Sequence, residues 1–296
     1  MTTMYENVIS THNPKIVGYS NFTKQKNFRQ DFSLSFKDEN DIWLVVIDGH
    51  GEHTKPIQNN LIFTDWLKEL NWLSIVRENP SNPIRFLEQL IISEYPPPYT
   101  SGIGASISVT KITKLRMEFW WKGITQTRIY KNKKQLYKTN LHNYYNHREM
   151  ERLSRNNVSH QLKGEWVFKK ISGDKLHLDE IKYIIVGDEI ANMTSCLGHN
   201  QVYGNHIGHH VVNLIPEKGA TYKIVSGSTG LWEIVCDEPD DVEQLSNIDF
   251  EALDHVERAF FDWKKKWSLV FAGENYGHDY VNHTDDISCA VCYLIF

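Results

Sequence analysis

Three acidic positions sit where apolar segments begin or end. Asp31 precedes FSLSF, Asp48 closes WLVVI, and Asp285-Asp286 precede ISCAVCYLIF. Carboxylates at the ends of core strands can converge on one rim of a sheet, where they repel one another unless a cation accompanies them. Hard oxygen donors assisted by water favour magnesium, manganese or calcium. For any single aspartate, a strand end that meets solvent is the more ordinary explanation. Asp48 stands apart because Gly49 and Gly51 let the backbone approach a ligand closely. His50 adds a group that moves protons near neutral pH.

Two other constellations carry possible chemistry. His206, His209 and His210 fall within GHNQVYGNHIGHH and could hold a transition metal such as zinc, although a Gly/Asn-rich stretch of this kind also suits an exposed loop. Cys289 and Cys292 form a CxxC, but they lie in a run that reads as a strand. Residues three apart on a strand point to opposite faces, so the expectation is two small buried hydrophobes rather than a redox or zinc pair. Trp120-Trp121 and Phe260-Phe261 are expected in core packing.

The elements that must position these residues can be read from periodicity. Residues 42–47 form a strand by composition and length. Ile57, Leu61, Leu67 and Leu70 predict a helix over 56–70. Ser81-Asn82-Pro83 supplies a cap and an N1 proline for a second amphipathic helix through Ile84, Leu87, Leu90 and Ile91, which YPPPYT ends. Segments 103–110 and 115–121 read as strands around a charged turn. The polar stretch 130–157 suggests a short strand or two, an exposed loop and a partial helix, and an uninformative loop is expected over 130–165. Segments 183–186 and 191–197 are ambiguous. A strand is predicted over 222–225, with 231–235 following a glycine turn. Helices are predicted over 240–245 and 250–267, the second with Leu253, Val256, Phe260 and Trp263 on one face. Residues 287–296 are apolar on both faces, as in the middle of a covered sheet. Without a regular β-α alternation, the pattern indicates an antiparallel, layered α+β domain.

The bulk properties narrow the function. A chain of 296 residues with 41% hydrophobic content can build a sizeable core, and a net charge of −5 gives no sign of the basic face that nucleic-acid binding needs. No apolar run approaches a membrane span, and MTTMYENVIS lacks the features of a signal peptide. The expectation is an intracellular, cytoplasmic protein, monomeric, with neither nucleic acid nor membrane as partner. Four cysteines in a chain of this length do not make a disulfide framework.

Asp48-Gly49-His50-Gly51 after an apolar strand resembles the hallmark of the metal-dependent protein serine/threonine phosphatases, the PPM or type 2C family. Other segments are similar to that family in the same order. Arg29-Gln30-Asp31 stands where it has a Glu-Asp pair, and Gly102-Ile103-Gly104-Ala105-Ser106 resembles its GSTA strand start. ANMTSCLG at 191–198 resembles LAVSRALGD, and YKIVSGSTGLWEIV at 222–235 resembles FLILASDGLWDVL. Thr284-Asp285-Asp286-Ile287-Ser288 resembles its closing DNIT strand.

The resemblance covers residues 15–296, leaving 1–14 as an N-terminal extension. It implies an α+β fold, a four-layer α-β-β-α sandwich of two antiparallel sheets flanked by helices. It also implies two Mn²⁺ or Mg²⁺ ions that activate water against a phosphoserine or phosphothreonine of a protein substrate. On this map Asp48 bridges the metals, the Gly49 carbonyl binds one, Asp285 binds the other, and Asp31 acts mainly through water. His50 would protonate the leaving alkoxide. Lys26 replaces a phosphate-binding arginine with a point charge.

The departures are concentrated in the metal site. The family's SDG is Ser228-Thr229-Gly230, so a neutral hydroxyl replaces a metal-binding aspartate. Gln30 replaces a glutamate, Gly123 to Arg128 lacks an acid tied to an extra metal, and Leu141-His142 and Gly198-His199 replace Asp-His and Gly-Asp. These changes imply either an impaired phosphatase or a pseudophosphatase that binds phosphoproteins or another partner without turnover.

Overall fold

A strand that is apolar on both faces has to be covered on both, and the segment ending at Asp48 fixes the layering of the chain. In the computed structural model the described residues are 14–25, 30–51, 63–96, 99–172, 175–235, 238–271, 274–279 and 285–296. The segment is β3 (Asp41–Gly51). Its sheet also holds β2 (Asp31–Asp38), β4 (Ile103–Ile112), β5 (Arg116–Lys122), β11 (Leu197–Gly198) and β12 (Gly208–Asn213). The order is β12-β5-β4-β3-β2 with β11 on β4, antiparallel throughout. A second antiparallel sheet runs β1-β16-β13-β6-β7, from β1 (Lys15–Lys24), β6 (Gln126–Lys131), β7 (Lys134–Lys138), β13 (Thr221–Gly227) and β16 (Ile287–Ile295).

Alternation along β3 shows how the layers are filled. Ile42, Leu44 and Val46 point between the sheets, where they meet Phe119, Ile224, Ala290 and Cys292. Trp43, Val45 and Ile47 point outward, under α1 (Phe63–Glu69), α2 (Trp72–Glu78) and α3 (Pro83–Glu94). The far face of the second sheet is covered by α5 (Thr229–Trp232), α6 (Pro239–Ser246) and α7 (Ala252–Lys264), through Leu231, Leu245, Val256 and Trp263. This is the expected α-β-β-α sandwich. The cap works as the sequence indicates: the Asn82 side chain accepts from the Arg85 N–H, and Pro83 opens α3. The CxxC is also resolved. Cys289 packs toward the helices and Cys292 between the sheets, both as buried free thiols.

The structure adds a third sheet, built from β8 (Gln161–Ser172), β9 (Lys175–Val186), β10 (Glu189–Ala191), β14 (Lys266–Phe271) and β15 (Glu274–Asp279), with α4 (His147–Arg155) before it. This corrects two expectations. The short strands and partial helix expected over 130–157 are β6, β7 and α4, but the loop expected over 130–165 gives way to β8 at Gln161. The helix expected to reach Trp267 ends at Lys264. Trp267 instead lies buried on β14, its indole N–H donating to the Asp262 carbonyl at 3.0 Å. Residues 1–13, expected as an extension, lie outside the described residues, as does the first half of the helix expected over 56–70. No described helix is long and apolar enough to cross a membrane.

Leu44 is wholly buried between the two sheets, whereas Leu136 on β7 is half exposed. Leu44→Ala is expected to cost about 2–5 kcal/mol and Leu136→Ala less than about 0.5 kcal/mol, measured by denaturant unfolding with unchanged m-values.

Candidate metal centre

Asp31 and Asp48 are directly opposite each other on β2 and β3. Asp48 continues the inward series of Ile42, Leu44 and Val46, so its carboxylate emerges at the end of the sandwich interior. The second sheet brings Asp285 and Asp286, which lead into β16, and Ser228 to Gly230, which follow β13. Reciprocal bonds splice these segments together: the Ser228 N–H donates to the Ser288 carbonyl at 3.0 Å, and the Ser288 N–H to Ser228 Oγ at 2.9 Å. Gln30 links the two sheets through its backbone. Its carbonyl accepts from the Gly49 N–H at 3.0 Å, and its N–H donates to Asp286 Oδ2 at 2.8 Å.

Asp31, Asp48 and Asp286 are buried and Asp285 is partly so. Burial, followed by the Asp48 and Asp285 charges, holds the Asp31 carboxyl well above the usual carboxylate range. Asp285 is likewise well above it, through burial and then the Asp48 charge. Asp48 is raised by burial, with hydrogen bonds from Thr229 acting in the opposite direction. Hard divalent cations take carboxylate oxygens as donors, and crowding of this kind is a repulsion that such a cation would relieve.

Thr229 narrows that fit. Its N–H and hydroxyl both donate to Asp48 Oδ2, at 2.7 and 2.6 Å, and its Oγ lies 3.2 Å from Asp285 Oδ2. One hydroxyl carries one proton. The shorter bond to Asp48 has the stronger claim on it, and the 3.2 Å contact with Asp285 Oδ2 is the weaker of the two. Thr229 therefore joins two carboxylates without supplying charge and commits one Asp48 oxygen. Gly230 must follow it, because a Cβ there would lie 2.0 Å from the Asp286 carbonyl oxygen. Trp232 and Trp263 hold this turn from behind, with indole N–H groups on the carbonyls of Gln126 and Gly230. Neither tryptophan's bond was legible in the sequence, where Trp263 reads as part of a helix face and Trp232 as part of the segment after a glycine turn.

His50 lies two residues beyond Asp48 on β3. Its ring stacks on His199, centroids 4.9 Å apart and planes 14° from parallel, and both ring nitrogens are shielded from solvent. Gly49 is buried beside Asp48. Lys26 lies outside the described residues.

The proposed grouping of His206, His209 and His210 is corrected. His209 and His210 are successive residues of β12, on opposite faces, stacked against Trp120 and Tyr137 respectively. Facing apart, the two cannot both converge on one ion with His206. His206 approaches the buried His142 and Glu149, its Nε2 3.3 Å from Glu149 Oε1, while Arg152 and Thr194 occupy Glu149 Oε2. Burial pushes His142 down to about 3.

No protein-family model and no curated protein matches the sequence. Solved structures do. A C. elegans sex determining protein superposes with a TM-score of 0.58 at 16% identity, over 94% of this chain and 65% of that one, so the present chain spans about two thirds of its length. The S. agalactiae serine/threonine phosphatase gives 0.55 at 14% identity, over 94% and 99%. The catalytic domain of the serine/threonine phosphatase PstP, in complex with two manganese ions, gives 0.52 at 10% identity, over 96% and 99%. The chain has the fold of the type 2C serine/threonine phosphatases.

The raised carboxyls have a consequence for stability. Free of metal, the folded state holds protons that the unfolded chain would release. Their stabilisation is full below the unfolded pKa and is lost as pH rises through the raised folded values. Thermal denaturation in EDTA is expected to give a Tm that falls as pH rises above the usual carboxylate range, less steeply in Asp31→Asn. An equal slope in both proteins would contradict this assignment.

Proposed function

We propose that the chain is a divergent metal-dependent phosphatase acting on phosphoserine or phosphothreonine in protein substrates, with a cation site weakened at position 229. The convergence of Asp31, Asp48 and Asp285 at one end of the sandwich carries this reading, because such a cluster is costly to maintain without a cation. Asp48 and Asp285 would hold the ion directly, with the Gly49 carbonyl beside Asp48 and Asp31 acting through water. A bound Mn²⁺ or Mg²⁺ supplies Lewis-acid activation of the attacking water and neutralises phosphoryl charge. His50, on the same strand face as Asp48, would give its proton to the departing serine or threonine oxygen. Lys26 would add a point charge for the phosphate.

One observation favours a second reading. The Thr229 hydroxyl already joins Asp48 to Asp285, and a site satisfied in this way supports a pseudophosphatase that binds phosphoproteins without turnover.

Hydrolysis of p-nitrophenyl phosphate and of a phosphothreonine peptide across a manganese titration separates the two. The phosphatase reading expects slow, manganese-dependent turnover that Asp48→Ala lowers by more than about 100-fold, with Thr229→Asp lowering the half-saturating manganese concentration about 10–100-fold. Turnover confined to Thr229→Asp would establish the pseudophosphatase. Turnover without manganese would remove both metal-based readings.

A further inference from the structure

Beside the carboxylate cluster lies a second group of ligands with different chemistry. One donor atom each from His50, Cys196 and His199 lies within 4.8 Å of the other two. Cys196 and His199 flank β11, which pairs with the start of β4 opposite the end of β3. The two imidazoles meet over Gly104. A Cβ at that position would lie 2.4 Å from His199 Cδ2 and 2.6 Å from His50 Nε2, so the absence of a side chain there leaves the space they occupy.

His199 is oriented for ligation. It is 1% exposed, and its Nδ1 sits 2.6 Å from Glu189 Oε2. Glu189 is fixed in turn by the Gly102 N–H at 2.8 Å and the Asn200 amide at 3.1 Å. A carboxylate on Nδ1 places the ring proton there and leaves Nε2 as a bare lone pair. That nitrogen is buried without a hydrogen-bond partner. A buried lone pair with no donor is costly, and a histidine whose far nitrogen is held by a carboxylate is the usual partner of a bound metal.

We propose that His50, Cys196 and His199 form a zinc site separate from the carboxylate cluster, with Glu189 as the positioning residue behind His199. The donor set is two imidazoles and one thiolate, which suits Zn²⁺ and leaves a fourth tetrahedral position open. Hard magnesium or manganese prefers the oxygens nearby. In a tetrahedral zinc site the ligand atoms stand about 3.5 Å apart. Side-chain rotations of Cys196 and His50 close the remaining gap while Glu189 holds His199 still. Charge balances as well: with Cys196 ionised, the thiolate and Glu189 offset the two charges of zinc. On binding, the Cys196 S–H bond breaks, its proton passes to solvent, and the sulfur pair enters the Zn–S bond. The site is argued from these side chains alone, and it competes with the phosphatase reading for His50.

The test is titration of the chelator-stripped full chain with Co²⁺, followed by displacement with Zn²⁺. One equivalent of cobalt is expected to give a thiolate-to-cobalt charge-transfer band in the near ultraviolet that zinc removes. Cys196→Ser should abolish the band, and His199→Ala should weaken binding further than Glu189→Gln, for which about 10–100-fold is expected. Cys236→Ser, His206→Ala and Asp48→Ala should keep it. The proposal is overturned if the unmutated protein shows no band, if the band survives Cys196→Ser, or if metal is lost with Asp48→Ala but retained in Cys196→Ser. The first outcome needs no variant, so misfolding of a mutant cannot mask a negative result.

Discussion

Two carboxylates facing each other at the end of a covered strand pair cannot both keep their charge unaided. Desolvation and mutual repulsion together drive them toward protonation, hydrogen bonding or a cation. Asp31 and Asp48 are placed this way by backbone register, and register is fixed by the apolar alternation of β3 across two layers of core. The acidic rim is therefore a consequence of the sandwich, and the rest of the site can be understood as ways of relieving it. Thr229 offers two donors to Asp48, the Gln30 N–H caps Asp286, and the Asp286 N–H caps Asp285 Oδ1 at 2.9 Å. These bonds reduce the repulsion without removing it, because none brings a positive charge.

Small residues make the convergence possible. Gly230 lies against the Asp286 carbonyl and Gly104 lies under two imidazoles. At both places a side chain would occupy the volume in which strand ends and ligands meet. The two glycines thus define two neighbouring chambers on one rim, one lined with oxygen donors and one with nitrogen and sulfur. The chemistry of the donors, rather than the shape of the fold, decides which ion each chamber prefers.

How much of this was legible in the sequence depended on how local the signal is. β3 and β16 were legible because both of their faces are apolar and such runs have few other interpretations. Asp48 and Asp285 followed from where those runs stop. The β8–β9 hairpin was not legible. Leu162 and Trp166 are exposed on β8 as well as Lys163 and Glu165, so neither face of this stretch is buried as a half-buried strand requires. Trp267 shares the helical pattern of α7 but belongs to a strand, since the apolar spacing continues unbroken three residues past the helix end at Lys264. The histidines were grouped by nearness in sequence, which failed for a physical reason: adjacent strand residues face apart. His199 is instead brought to His50 by the pairing of β11 with β4, a contact that no local pattern encodes.

His50 is where the two chambers meet, and its imidazole cannot serve both at once. A nitrogen bound to zinc has given up the lone pair through which it would accept and return a proton, and its charge no longer follows pH in the ordinary way. As a proton donor to a leaving oxygen, His50 must turn toward the carboxylate cluster. In the structure its Nε2 rests over Gly104 beside His199, on the side of the nitrogen and sulfur ligands. The replacement of a neutral hydroxyl for a carboxylate at Thr229 and the presence of His199 where the related motif has an aspartate act in the same direction. On the two proposals above, the first would lower the negative charge of the oxygen cluster and the second would add an imidazole ligand to its neighbour. The rim would then favour a softer cation over a hard, oxygen-bound one.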